Sequence, residues 1–121
     1  LNMGLILITH DLSILGETCD KIAVMYAGKI MEIGTVEDIF ENAQHPYTKK
    51  LIGCFPNIGK EKIIPVGIKG TPPNMLDVPT GCAFNPRCEF ATDICREKIP
   101  EPRKIGEEHI VACHLVEVSN E

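Results

Sequence analysis

Leu5-Ile-Leu-Ile-Thr-His10-Asp11-Leu12, followed by Cys19-Asp20-Lys21-Ile-Ala-Val-Met-Tyr26-Ala27-Gly28-Lys29-Ile30, is the stretch on which the fold reading turns. Residues 3–9 (MGLILIT) form a continuous apolar run of strand length, the pattern of a strand buried on both faces. His10 stands at its carboxyl end, where α/β sheets place ligand-contacting groups. Asp11 is suited to cap a helix over residues 12–19 that puts Leu12, Leu15 and Cys19 on one face. Residues 21–26 (KIAVMY) read as a second strand, and residues 29–33 (KIMEI) as its hairpin partner across the Ala27-Gly28 turn.

Outward from this core, Gly34 breaks the strand pattern, and Thr35-Val-Glu-Asp38 is a variant capping box opening a short helix through Glu41. Pro46 suits the first turn of another helix, over residues 47–55, with Tyr47, Leu51 and Cys54 on its apolar face. Within Gln44-His45-Pro46-Tyr47-Thr48, a structural cap describes His45 better than catalysis does, since no nucleophile or acid is fixed beside it. Beyond residue 55 the pattern becomes irregular. Prolines at 65, 72, 73, 79, 86 and 100 interrupt it, leaving a possible strand over 63–68, a short helix over 90–97 and a last strand over 109–116. A region this poor in core-forming side chains needs cross-links.

Composition narrows the function. In 121 residues, 44% are hydrophobic and the net charge is −5, so wholesale disorder and a phosphate-tracking nucleic-acid binder are both disfavoured. No apolar run is long enough to span a bilayer. The chain opens on Leu, with no secretory leader, and reads as a piece of a longer protein.

Four of six cysteines crowd the last third as C-x5-C-x6-C-x17-C: Cys82, Cys88, Cys95 and Cys113. Four thiolates can surround one Zn²⁺ or ligate a [4Fe–4S] cluster. The missing C-x2-C knuckle counts against zinc, and the proline-bent loops suit a larger cluster. His109 and His114 flank Cys113 and are both substitute zinc ligands, His114 the alternative carried forward, so zinc is the runner-up. Two disulfides in a small extracellular protein are the opposing reading, disfavoured by cysteine distribution. An independent iron–sulfur or redox module is a further one. Cys19 and Cys54 read as buried small hydrophobes.

The order strand, His10, helix and hairpin, with Gly34-Thr35 and Asp38-Ile39-Phe40 after it, closely resembles the end of an ABC-transporter ATPase domain. His45-Pro46-Tyr47-Thr48 is similar to the hallmark of the oligopeptide/dipeptide importer ATPases, as are Gly81-Cys82-Ala-Phe84-Asn-Pro86-Arg87-Cys88, Cys95 and Val111-Ala-Cys113-His114. The resemblance implies an α/β fold: the end of a P-loop NTPase domain over residues 1–42, then a small, loop-rich cysteine-containing extension over 43–121. It makes His10 the switch-loop histidine, a catalytic group holding the γ-phosphate and attacking water, and it shifts the cysteine reading towards [4Fe–4S] over Zn²⁺. For the parent it implies ATP and Mg²⁺, a second ATPase subunit, two membrane permease subunits, an extracytoplasmic binding protein, and a peripheral place on the inner face of the cell membrane. The cargo would be dipeptides, oligopeptides or nickel. The chain contains no G-x-x-x-x-G-K-[ST] phosphate loop, so it is expected to be inactive alone.

Overall fold

The hairpin is the best-founded element. Ile22, Val24 and Tyr26 alternate inward along β1 (Lys21–Tyr26) while their neighbours face solvent, the period-two pattern of a half-buried strand. Ala27 (φ 51°) and Gly28 (φ 78°) both adopt positive φ, as a two-residue turn of the twist-matched kind requires. β2 (Lys29–Thr35) returns antiparallel, with an irregularity between Val24 and Met25. The computed structural model describes residues 3–54, 68, 70–72 and 74–116.

Helix α1 (Leu12–Thr18) begins as expected, with the Asp11 carboxylate accepting from the Ser13 N–H. The Thr18 hydroxyl donates to the Ile14 carbonyl. α2 (Val36–Phe40) carries the full capping box: the Thr35 hydroxyl accepts from the Asp38 N–H and the Asp38 carboxylate from the Thr35 N–H. α3 (Pro46–Gly53) starts on proline and ends at a Cys54 cap. In the second half a 3-10 turn (Asn85–Arg87) precedes α4 (Asp93–Glu97), then the two-residue strands β3 (Arg103–Lys104) and β4 (Ile110–Val111).

The sheet is antiparallel, in the order β1-β2-β4-β3. β4 lies against the free edge of β2, with Val111 opposite Glu32 and Ile110 opposite Ile33, and the Ala112 N–H extends the ladder to the Met31 carbonyl. Two small cores flank it. Ile22, Val24 and Ile39 gather Leu15, Phe40 and Leu51. Tyr26, Met31, Ala83 and Phe84 gather Tyr47, Val78 and Cys82. Tyr47 touches both, and its ring centroid lies 4.7 Å from that of Tyr26 and 5.2 Å from that of Phe84.

The mixed α/β character is as expected, but several elements differ. Residues 3–9 form no strand: Ile6 and Ile8 are more than 90% exposed. A strand buried on both faces needs neighbours on both edges, and no described strand lies beside this one. The helix expected over 90–97 is confined to Asp93–Glu97, and the strand over 109–116 to Ile110–Val111, because His109 turns into a buried contact with Glu32 and residues 113–116 form a turn. The strand expected over 63–68 lies outside the described residues apart from Ile68, as does residue 55.

Candidate functional site

The junction between hairpin, α3 and the last third is organised by one carboxylate. Glu32 is fully buried in β2. One of its oxygens accepts from the Gln44 N–H at 2.8 Å and the other from the His45 N–H at 3.1 Å. The His109 Nε2 lies 2.5 Å from Oε1, and its Nδ1 lies 3.9 Å from the Asp38 carboxylate. A buried carboxylate is tolerable only when its lone pairs are filled, and here two amides and an imidazole fill them. The space is tight: a side chain at Gly34 would meet the Asp38 Cβ at 2.8 Å and the His109 ring at 3.3 Å. The sequence reading missed Glu32 and gave His109 only the role of a substitute zinc ligand. The available signal was a carboxylate set among apolar strand residues, between Met31 and Ile33.

His45 caps α3 as anticipated, its Nδ1 accepting from the Tyr47 N–H at 3.0 Å. The ring is buried, and burial pushes its pKa down to about 4 against the pull of Glu32. The neutral tautomer that caps the helix puts the proton on Nε2. Nε2 and the Thr48 hydroxyl are buried with no hydrogen-bond partner among the described residues.

His10 is exposed at the start of α1, next to the capping Asp11. The Ser13 hydroxyl, chiefly, holds the Asp11 carboxyl below its usual range, with a smaller contribution from His10. The helix is short, and no second phosphate-binding element stands near His10 in the sequence.

Cys82, Cys88, Cys95 and Cys113 share one neighbourhood. The Cys82 N–H donates to the Cys95 carbonyl at 2.8 Å, and Gly81 (φ 74°) permits that approach, since a Cβ there would lie 2.3 Å from the same carbonyl oxygen. Burial raises the pKa of the Cys82, Cys88 and Cys113 thiols, and the charges of other cysteines in the set raise each further. Cys82, Cys88, Cys95 and Cys113 are free thiols. Among the described residues no group of three or more His, Cys, Asp or Glu side chains is arranged to hold a metal ion. The His114 Nε2 lies 2.8 Å from the Lys98 carbonyl.

Residues 31–95, from the start of this junction to the third clustered cysteine, match the family described as the oligopeptide/dipeptide transporter C-terminal region. The chain belongs to that family. Relatives extend the likeness beyond the transporter C-terminal region to most of the chain. The dipeptide transport ATP-binding protein of Haemophilus influenzae is 46% identical over 112 residues, covering 93% of this chain and 34% of that protein. The protein of the same name from Caldanaerobacter subterraneus is 40% identical over 117 residues, covering 97% of this chain and 36% of its own length. The oligopeptide transport ATP-binding protein of Haemophilus influenzae is 46% identical over 95 residues, 78% of this chain and 29% of that protein. The chain thus spans about a third of the length of the curated relatives it matches. Among the described residues, no helix is long and apolar enough to cross a membrane.

Proposed function

We propose that the chain is the C-terminal part of the ATP-binding subunit of an ABC-type importer of dipeptides or oligopeptides, with nickel as the sister cargo. The match of residues 31–95 to the transporter C-terminal region carries this reading. In it, residues 1–42 end the ATPase domain and residues 43–121 form the importer extension. The subunit pairs with a second ATPase subunit and seats on two permease subunits at the inner face of the cell membrane, served by an extracytoplasmic binding protein. ATP and Mg²⁺ are held by elements that this sequence does not contain.

His10 is the group through which this chain takes part in turnover. An imidazole at a helix start can hydrogen-bond a phosphate oxygen and an attacking water, an interaction that strengthens as charge develops. The test is His10→Ala in the full-length protein. ATP turnover and peptide uptake should fall by about 10²–10³, the usual effect of losing one preorganised donor, with ATP affinity nearly unchanged. Unchanged turnover would remove His10 from the mechanism.

The same reading gives Cys82, Cys88, Cys95 and Cys113 a [4Fe–4S] cluster that holds the extension together, with Zn²⁺ as the alternative. The support is four free thiols in one neighbourhood, the number that a cluster of this kind requires as ligands. The cluster would supply cross-linking by iron–thiolate bonds to a segment short of apolar side chains. Anaerobically purified protein should contain about four irons per chain. One equivalent of zinc without iron would favour the alternative, and protein free of both metals would exclude the two together.

A further inference from the structure

Three of the four clustered thiols share a local device. Burial raises the pKa of Cys82, Cys88 and Cys113. Against it, a backbone N–H two residues further on, that of Phe84, Phe90 or Leu115 respectively, hydrogen-bonds the sulfur and favours its charged form. A chain that turns back so that an amide meets the sulfur serves a thiolate, whereas a cysteine packed as a small hydrophobe needs no such donor.

Cys95 meets a hydroxyl. The Thr92 Oγ1 lies 3.4 Å from the Cys95 Sγ. Thr92 is the N-cap of α4, and an N-cap threonine ordinarily accepts from the amide of the second or third helical residue. Among the described residues it makes no such side-chain bond: the Cys95 N–H donates to the Thr92 carbonyl at 3.0 Å, which leaves the hydroxyl to the sulfur. A thiolate carries no proton, so the hydroxyl is the donor whenever Cys95 is charged or bound to a metal.

We infer that Thr92 is a positioning residue for the metal centre of the extension: its hydroxyl donates to the Cys95 sulfur, so that each of the four cysteines has a donor for its charge. This rests on the [4Fe–4S] reading of Cys82, Cys88, Cys95 and Cys113. Hydrogen bonds to ligating sulfurs hold the ligands in place and raise the reduction potential, because each strengthens when an added electron increases the negative charge on sulfur. The three amides belong to the main chain, whereas the Thr92 hydroxyl can be removed by one isosteric substitution.

The test compares the anaerobically purified full-length protein with Thr92→Val, Thr92→Ser and, as a control, Thr80→Val. Thr92 is exposed and its hydroxyl does not cap α4, so the valine keeps the fold, which circular dichroism verifies. The Thr80 hydroxyl lies in the same neighbourhood but donates to the Arg96 carbonyl, at 3.0 Å. The unsubstituted protein should contain about four irons per chain. In Thr92→Val the midpoint potential should fall by about 59 mV, tenfold in the equilibrium constant for one electron. EDTA should strip its iron about tenfold faster. Thr92→Ser and Thr80→Val should match the unsubstituted protein in both measurements. Thr92→Val isolated without iron, with Thr92→Ser iron-replete, is the same result at its limit. A potential or a stripping rate unchanged in Thr92→Val, or an equal loss in Thr92→Ser or Thr80→Val, would overturn the role of Thr92 and leave the cluster standing. Unsubstituted protein without iron would overturn the cluster reading and this inference with it.

Discussion

Glu32 shows how one side chain can hold a junction together. Replacing it with Gln preserves its volume but turns one oxygen into a donor, which then faces the Gln44 or the His45 N–H. Leaving buried donors unsatisfied costs about 2–4 kcal/mol. Glu32→Gln should therefore raise hydrogen exchange at the Gln44 and His45 amides more than about tenfold, with little change at Val24 in the hairpin. His45 makes a different prediction. Its folded pKa, about 4, lies below the ordinary 6.5, so the unfolded chain binds the extra proton between these values. Stability from this group is fully present above about pH 6.5 and is lost as pH falls towards 4, a loss on the order of 3 kcal/mol. His45→Asn keeps a capping acceptor without titrating. Urea midpoints measured between pH 7 and 4.5 should fall less steeply in the variant, and an identical slope would remove His45 as the source.

At the level of elements, the edge of β2 is completed by only two residues of β4 and the Ala112 amide. Ala112→Pro deletes that donor while leaving Val111 extended, the conformation it already has. Tryptic cleavage after Arg103 and Lys104 should accelerate about tenfold or more, with β1 and β2 staying protected from exchange. Retained protection of β3 would show that β4 is not what anchors it. The reasons that α1, the hairpin, α2 and α3 were legible in the sequence are local. Asp11, Ala27-Gly28, the Thr35–Asp38 box and Pro46 each specify their element within four residues. β3 and β4 were not legible, because two-residue strands have no period and exist through pairing. The Glu32–His109 contact was hidden for a related reason: its partners are joined by folding, and neither carries a motif. Residues 3–9 gave the opposite failure, a strong strand pattern without described neighbours to pair with.

For the molecule as a whole, that apolar segment sets solution behaviour. Met3, Leu5, Ile6 and Ile8 are all exposed in a stretch that belongs to no helix or strand, the condition under which one chain associates with another. The 121-residue chain produced alone should elute as oligomers in size-exclusion chromatography, and Ile6→Lys with Ile8→Lys should shift it towards monomer. An unsubstituted 121-residue chain that stays monomeric at about 0.1 mM, a concentration typical of the range where exposed apolar surface associates, would contradict this.

The β2–β4 pairing also dictates an order of events during synthesis. Glu32 and Val111 are partners across the sheet, yet roughly 80 residues separate their emergence from the ribosome, or about 4–16 s at about 5–20 residues per second. For that interval the nascent hairpin carries a bare edge, and the Glu32 carboxylate waits for an imidazole not yet translated. A premature stop codon shortly before His109 would make that waiting state permanent. Such truncated products should be preferred clients of chaperones and proteases even though most of their length is intact.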